Sequence, residues 1–343
     1  MRHAEASMTA RATELQGMTT RRRVMILAVA AVAAGRAWPA AKPRRIGLLA
    51  FAPRPKPGVV PLFDGFLAGM RELGYEEDRD FTMEWKVTEG KPERYASAAA
   101  ELVASRVDLI LCFASPAALA AKSATSTIPI VFAGLNDPVT SGLVPSLARP
   151  GGNLTGLSGV DDELHGKRLS LLRELLPAVS NVVVLWSPDV VVHRHEVAQI
   201  ETLARGLAIQ VRPVELRRVE DVGPVFEQLE RPRPGAVLVP AAAWHAYHSA
   251  ALFAAATRAR LPAIGTERFH AVGGALLTYG ADLADLARRA AGYVDKIFKG
   301  AKPADLPIQQ PTKYDLLINL KTADAIGVTI PKDLLLRADE VIR

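Results

Sequence analysis

Two short histidine pairs are the first residues that suggest chemistry: His193-Arg-His195 and His245-Ala-Tyr-His248. Spaced imidazoles can hold a metal, but a metal site also needs further Cys, His or carboxylate ligands at matched spacing. No such set accompanies either pair, so both read as surface histidines. Cys112 is the only cysteine and lies in the apolar run Val107–Phe113. A thiol in that setting reads as buried and inert, and no intramolecular disulfide can form. Gly156-Leu-Ser-Gly159 lacks the Gly-x-Ser-x-Gly spacing of a nucleophile elbow. No Gly-x-Gly-x-x-Gly follows the first apolar run, and there is no phosphate loop. Nothing pairs a nucleophile with a base. The expectation is a binding protein with no catalytic residue, no metal and no cofactor.

The elements that must position a binding site alternate regularly. Arg45–Phe51 is a continuous apolar run, the mark of a strand covered on both faces. Leu62–Leu73 puts Phe63, Phe66, Leu67, Met70 and Leu73 at helical spacing, with Gly74 as its stop. Strands follow at Phe81–Val87, Val107–Phe113 and Pro129–Ala133, with helices at Pro92–Ala104 and Pro116–Thr125 between them. After Gly159 the alternation restarts, through strands at 182–186, 209–214, 236–239 and 262–265. The pattern predicts an α/β protein of two doubly wound, parallel-sheet, Rossmann-like lobes. Pro150-Gly-Gly-Asn153 and Gly273-Gly274 read as joints between the lobes, although a tight turn would explain the first equally well. A helix over Asp282–Lys299 is expected to return to the first lobe. The tail, Tyr314–Arg343, reads as one or two helices. The expected division is 44–157 plus about 275–303 for lobe one, and 158–274 plus about 304–343 for lobe two. A chain that crosses between lobes more than once forms a multi-strand hinge.

The N-terminus has the three parts of an export signal. Thr20-Arg-Arg-Arg-Val-Met25 is a charged opening that also fits a twin-arginine signal, with Met18 a candidate start. Val24–Ala34 is apolar but too short to span a membrane, which takes about 20 residues. Gly35-Arg-Ala37 supplies small residues for a cut, so residues 1–37 are expected to be removed. The whole chain carries a formal charge of +6 from 42 basic and 36 acidic residues. Residues 1–37 hold six of the basic and two of the acidic ones, so the remainder is only +2. The basic balance therefore belongs mostly to the signal and is weak ground for nucleic-acid binding.

Three long stretches carry a resemblance. They are Asp137–Gly156, Tyr279-Gly280 with Ala290–Pro307, and Gln310–Ala323 with Leu336–Ile342. Their wording, DPVTSGLVPSLARPGGNLTG in the first, closely resembles a family of ABC-transporter substrate-binding proteins that includes tryptophan- and phenylalanine-binding members. The resemblance runs from about Arg44 to the C-terminus. It implies a type I periplasmic binding fold, a periplasmic location, and capture of a small-molecule ligand for an inner-membrane ABC permease. No nucleic-acid partner is implied, and a monomer is expected. Rival readings are a two-domain Rossmann-like enzyme such as a nucleotide-sugar transferase, a sugar-responsive repressor, and a sensing domain that partners a signalling protein.

In open α/β sheets ligands sit beyond the carboxyl ends of strands. That rule selects Phe51, Ala52, Ser115, Asn136 and Asp137 in lobe one, and Trp186, Ser187, Ala242, Trp244 and Glu267 in lobe two. Ser115, as a helix N-cap, would offer free amides to a carboxylate, and Asp137 would take an ammonium group. Capping alone would also explain Ser115, and turn chemistry would explain Asp137. The family position favours binding for Asp137. Trp186 and Trp244 read equally as pocket walls or as core. Ala52–Pro61, with four prolines, reads as a stiff rim. An acid site beside an ammonium site suits an amino acid or an aromatic acid.

Overall fold

The computed structural model describes residues 42–53, 61–159 and 163–343. The export signal expected at 1–37 lies outside them, as does most of the Ala52–Pro61 rim. From Pro43 onward the chain forms a single unit.

The first sheet is built from β1 (Arg44–Ala50), β2 (Phe81–Val87), β3 (Leu109–Cys112), β4 (Ile130–Leu135) and β5 (Leu154–Ser158). Its order is β2-β1-β3-β4-β5, and every pair is parallel. β1, β3 and β4 read as apolar runs because side chains are buried on both faces of the sheet. On one face α1 (Pro61–Glu72) packs Phe63, Phe66 and Met70 against Ile46 and Leu48. On the other, α2 (Tyr95–Ala104) and α3 (Ser115–Ala124) enclose Leu49, Ile110 and Cys112. Burial pushes the Cys112 thiol far above its ordinary range, in keeping with an inert core cysteine.

The second sheet runs β12-β11-β10-β9-β8-β6-β7. In chain order its region contains α4 (Glu163–Leu175), β6 (Asn181–Trp186), α5 (His193–Gly206), β7 (Gln210–Glu215), α6 (Val222–Gln228), β8 (Ala236–Leu238), α7 (Ala243–Tyr247), α8 (Ser249–Arg258), β9 (Ala263–Gly265), α9 (Arg268–Val272) and β10 (Leu277–Ala281). Next comes α10 (Leu283–Phe298), which leaves this sheet. It packs Leu286, Ala290, Tyr293 and Val294 into the α1 face of the first sheet. β11 (Tyr314–Asn319), α11 (Leu320–Ile326), α12 (Lys332–Arg337) and β12 (Glu340–Ile342) complete the second sheet and its cover.

Four expectations change here. Pro150-Gly-Gly-Asn153 is a turn inside the first lobe, because β5 after it is the fifth strand of the first sheet. Gly151 and Gly152 take φ of 63° and 61°, where a side chain is strained. The Asn153 amide closes the turn by donating to the carbonyls of Thr125 and Ile128, at 3.1 and 2.7 Å. Gly273-Gly274 likewise turns the chain from α9 into β10 within the second lobe. The return expected at about 275 comes later, at Asp282, since β10 belongs to the second sheet. Finally, the tail opens with a strand, and β11 runs antiparallel to β10. Its Leu316–Asn319 stretch is wholly buried, and a short buried apolar run fits a strand or a helix equally by periodicity.

The chain passes from the first sheet to the second after β5, back after β10, and over again before β11. The last two crossings are bonded to each other. The Asp282 N–H donates to the Lys313 carbonyl at 3.1 Å, and Lys313 Nζ lies 2.6 Å from Asp282 Oδ2. Asp282 also caps α10 by accepting from the Asp285 N–H at 3.0 Å.

The α1–α10 seam depends on missing side chains. A Cβ on Gly69 would sit 2.2 Å from the Arg288 carbonyl oxygen, and one on Gly65 would sit 2.4 Å from that of Ala284. G69L therefore forces the two helices apart. We expect it to lower unfolding free energy by about 3 kcal/mol, the upper range for overpacking. Urea denaturation checks this, and an unchanged midpoint would show that the seam yields.

Candidate functional site

The lobes meet edge to edge over the carboxyl ends of their strands. Asn136, just past β4, is 8% exposed. Its Nδ2 donates across the interface to Glu196 Oε1 at 3.2 Å and to the Ala241 carbonyl at 2.9 Å. Phe51, past β1, meets Tyr247 of α7 edge to face, with centroids 5.3 Å apart. The lobes are closed, and the groups between them are largely out of water.

Lobe two supplies most of the charge. His193 and Glu196 occupy the first turn of α5, which follows β6. The Ser187 N–H donates to His193 Nδ1 at 3.0 Å, so the imidazole proton is on Nε2 and donates to the Ala241 carbonyl at 2.9 Å. His193 thus ties the ends of β6 and β8 together. Glu196 is 4% exposed, and its Oε2 has no hydrogen-bond partner among the described residues. Arg168, on α4, is 6% exposed. Its Nε donates to the Tyr279 carbonyl at 2.7 Å, and Nη1 approaches His165 Nδ1 at 3.5 Å. Among the described residues no carboxylate lies within ion-pair distance of it. Glu267, half-buried at the N-cap of α9, makes no capping bond with its side chain.

This is a costly arrangement, and the titration behaviour records it. Burial pushes the Glu196 and Glu267 carboxyls up to about 7, with the positive Arg168 pulling the other way. Burial also draws the Arg168 guanidinium down to about 10, so it stays charged at neutral pH. His165 and His270 fall to about 3 and His193 to about 4, all chiefly through burial. His245 falls well below its ordinary value for the same reason. His270 Nδ1 accepts from the Thr266 N–H at 3.1 Å, and His245 Nδ1 donates to the Pro240 carbonyl at 2.8 Å. A cavity of about 20 Å³, room for one water, lies against His165, Arg168 and Thr266.

The residues selected from strand ends fare differently from one another. Asn136 forms the tie between lobes. Glu267 and Asp137 both lie close enough to act electrostatically on Glu196. Asp137 Oδ1 accepts the N–H groups of Val139 and Thr140, both at 3.0 Å, so it holds its own turn. Ser115 is not the cap of α3: Ala114 takes that position with φ −146° and ψ 140°, because Pro116 fits the first helical turn. Trp186 is buried in the core with the Arg194 guanidinium 5.6 Å from its ring centre. Ser187 contributes its backbone N–H to His193. Trp244 is half-buried and stands edge-on to His245, and Ala242 caps α7. Ala52 lies in the bend beside Phe51 and is half-buried. The reading of the histidine pairs as surface groups holds for His195, which is exposed, but is corrected for one member of each pair. His193 and His245 are fully buried and stack with ring centres 5.5 Å apart, each bonded to a backbone carbonyl just past β8, that of Ala241 or Pro240. Among the described residues no group of three or more His, Cys, Asp or Glu side chains is arranged to hold a metal. Arg168, His165 and Glu196 escape a rule that reads only the residue after a strand. The available signal was spacing, since 165/168 and 193/196 are both i, i+3 pairs on one helix face.

The cluster makes a pH prediction. Between about pH 4.5 and 6.5 the unfolded chain protonates its histidines and ionises its glutamates. The folded chain does the reverse at His165, His193, His245 and His270 and at Glu196 and Glu267. Four histidines outweigh two carboxyls, so the unfolded state binds more protons and stability rises with pH, on the order of 1–3 kcal/mol per unit. Near pH 7 the protons still held by the unfolded histidines and those still held by the two folded carboxyls balance, and the slope vanishes. The melting temperature should peak near pH 7 and fall in acid. E196Q should gain on wild type above pH 7 and lose that gain below about pH 4, where Glu196 is protonated in both states. Melting curves across this range check both statements, and a flat profile would contradict them.

The comparisons with known proteins agree with this architecture. A family model described as ABC transporter substrate binding protein matches residues 52–342. A tyrosine-binding protein from Clostridioides difficile (strain R20291) is 25% identical over 264 residues, covering 77% of this chain and 76% of that protein. The crystal structure of an ABC domain in complex with L-Trp from Streptococcus pneumoniae superposes with a TM-score of 0.80 at 26% identity, covering 88% of this chain and 100% of that one. A conserved domain protein from Vibrio cholerae superposes at 0.81 with 27% identity and the same coverage. The two lobes are those of the type I periplasmic binding fold. With a match that spans the chain from the end of β1 to its last strand, the protein belongs to the ABC transporter substrate-binding protein family.

Proposed function

We propose that the chain is an extracytoplasmic receptor of an ABC importer. It captures a small carboxylate-bearing solute, most simply an amino acid with an aromatic side chain, between its lobes and delivers it to a permease without transforming it. The observation that carries this reading is Arg168: a charged guanidinium, 6% exposed at the closed lobe interface, with no carboxylate in reach among the described residues. An unpaired buried cation is costly, and a ligand carboxylate would offset that cost through charge-assisted bonds. Glu196 Oε2 and Glu267 stand ready for the ammonium group. In this reading they take the acid and ammonium roles that strand-end reasoning assigned to Ser115 and Asp137, since Asp137 Oδ1 is already engaged by the Val139 and Thr140 N–H groups. Phe51, Ala52, Ala242 and Trp244 remain candidates for the wall that receives the side chain. The tyrosine- and tryptophan-binding relatives support an aromatic solute. No described helix is long and apolar enough to cross a membrane. The signal pattern at 1–37 supports action in the periplasm.

A thermal-shift and calorimetric panel of L-tyrosine, L-tryptophan, phenylacetate, tyramine and neutral sugars tests the reading. The two amino acids should stabilise the protein, by about 2.7 kcal/mol at a hundredfold excess over the dissociation constant. Phenylacetate and tyramine, each lacking one head group, should bind more weakly. R168M should weaken the amino acids roughly a hundredfold or more, the loss of a charged, buried hydrogen-bond pair. R168K should recover part of the affinity. Binding of neutral sugars alone, or unchanged affinity in R168M, would overturn the carboxylate assignment.

A further inference from the structure

Thr266 lines a second, larger cavity of about 470 Å³, which Arg168, Glu196 and Asn136 do not line. Its floor is the antiparallel ladder of β10 and β11, where Thr278 pairs with Leu317 and Gly280 with Asp315. Phe269, in the first turn of α9, and Leu317 give it an apolar side. Thr278 is fully buried, lines this cavity, and its Oγ1 has no hydrogen-bond partner among the described residues.

The charges around the cavity do not balance. Four carboxylates line it, Asp282, Asp315, Asp339 and Glu340, against two cations, Arg268 and Lys313. Arg268 is taken by Glu340. Lys313 sits 2.6 Å from Asp282 and only 3.7 Å from Asp315. Asp339 accepts the Leu316 N–H at 2.8 Å and has no ion pair among the described residues. Burial, aided by Asp282 and Asp339, raises the Asp315 carboxyl above its ordinary value. The wall therefore has an undercompensated carboxylate and an unused buried hydroxyl beside an apolar face.

We propose that this cavity is a second small-molecule site that takes an organic ammonium with an apolar body. The ammonium donates to Asp315 and to Thr278 Oγ1, and the body lies against Phe269 and Leu317. A neutral or anionic ligand would leave the net negative wall uncompensated. The site is independent of which solute the cleft between the lobes carries. It draws on both crossing segments, through Asp282 and Lys313, so its occupant touches the hinge itself.

Benzylamine is the probe, followed by amide chemical shifts of the isotopically labelled protein. Saturable shifts are expected at Thr278, Asp315 and Leu317, with none from benzyl alcohol. D315N should weaken binding about tenfold or more, the effect of removing one charged partner. T278V should weaken it as well while leaving the melting temperature unchanged, a result that a purely structural threonine would not give. Asn136 and Glu196, which do not line the cavity, should show no saturable shift. Absence of saturable shifts would overturn the proposal. So would wild-type binding by D315N and T278V, or saturable shifts confined to Asn136 and Glu196, which would place the amine in the cleft.

Discussion

Charge held out of water is the constraint on which the rest depends. Arg168, Glu196 and Glu267 stand within one another's fields but not in ion-pair contact. Each pays part of its hydration for a position at the closed interface. The scaffold enforces this by covering them from two sides. Helices α4 and α5 set Arg168 and Glu196 against the strand ends of lobe two. Asn136 reaches over from lobe one and fixes Glu196 by one carboxylate oxygen, leaving the other unused. Neutral histidines fill the surroundings: His193 links Ser187 to Ala241, and His270 takes the Thr266 N–H. The result is a preorganised polar surface with unused bonding capacity, which is what recognition of a small charged solute requires.

The same constraint sets the charge state of the histidines. His165, His193 and His270 have values near 3 to 4 and stay neutral through the physiological range. They serve as directional hydrogen-bonding groups in the wall. The charge at the site rests with the arginine and the two carboxyls.

Much of the architecture was legible in the sequence because burial writes itself into periodicity. Ile46–Leu49 and Val182–Trp186 read as strands covered on both faces from their place in a regular strand–helix alternation. Phe63, Phe66 and Met70 could only be one helix face. What periodicity does not carry is direction and partnership. β11 reads like any short buried run, so nothing local announced its antiparallel course. The glycine pairs at 151–152 and 273–274 look like joints between lobes, yet the positive φ of Gly151, Gly152 and Gly274 serves a turn equally whether it ends a lobe or only a strand. The site was half legible. Asn136 and Glu267 lie where strand ends place them. Arg168 and His165 come from a helix that begins after the crossing, and their approach to Tyr279 and Glu196 is tertiary. His193 and His245 look like surface groups, yet they bond the Ala241 and Pro240 carbonyls and stack on each other inside lobe two.

The paired crossing segments have a mechanical consequence. Asp282 and Lys313 join them by a backbone bond and an ion pair, so the two behave as a ribbon rather than as separate threads. A ribbon flexes readily about one axis and resists sliding and torsion. Rotation about that axis would part Asn136 from Glu196 and Ala241 and Phe51 from Tyr247 together, since both contacts bridge the same two lobes.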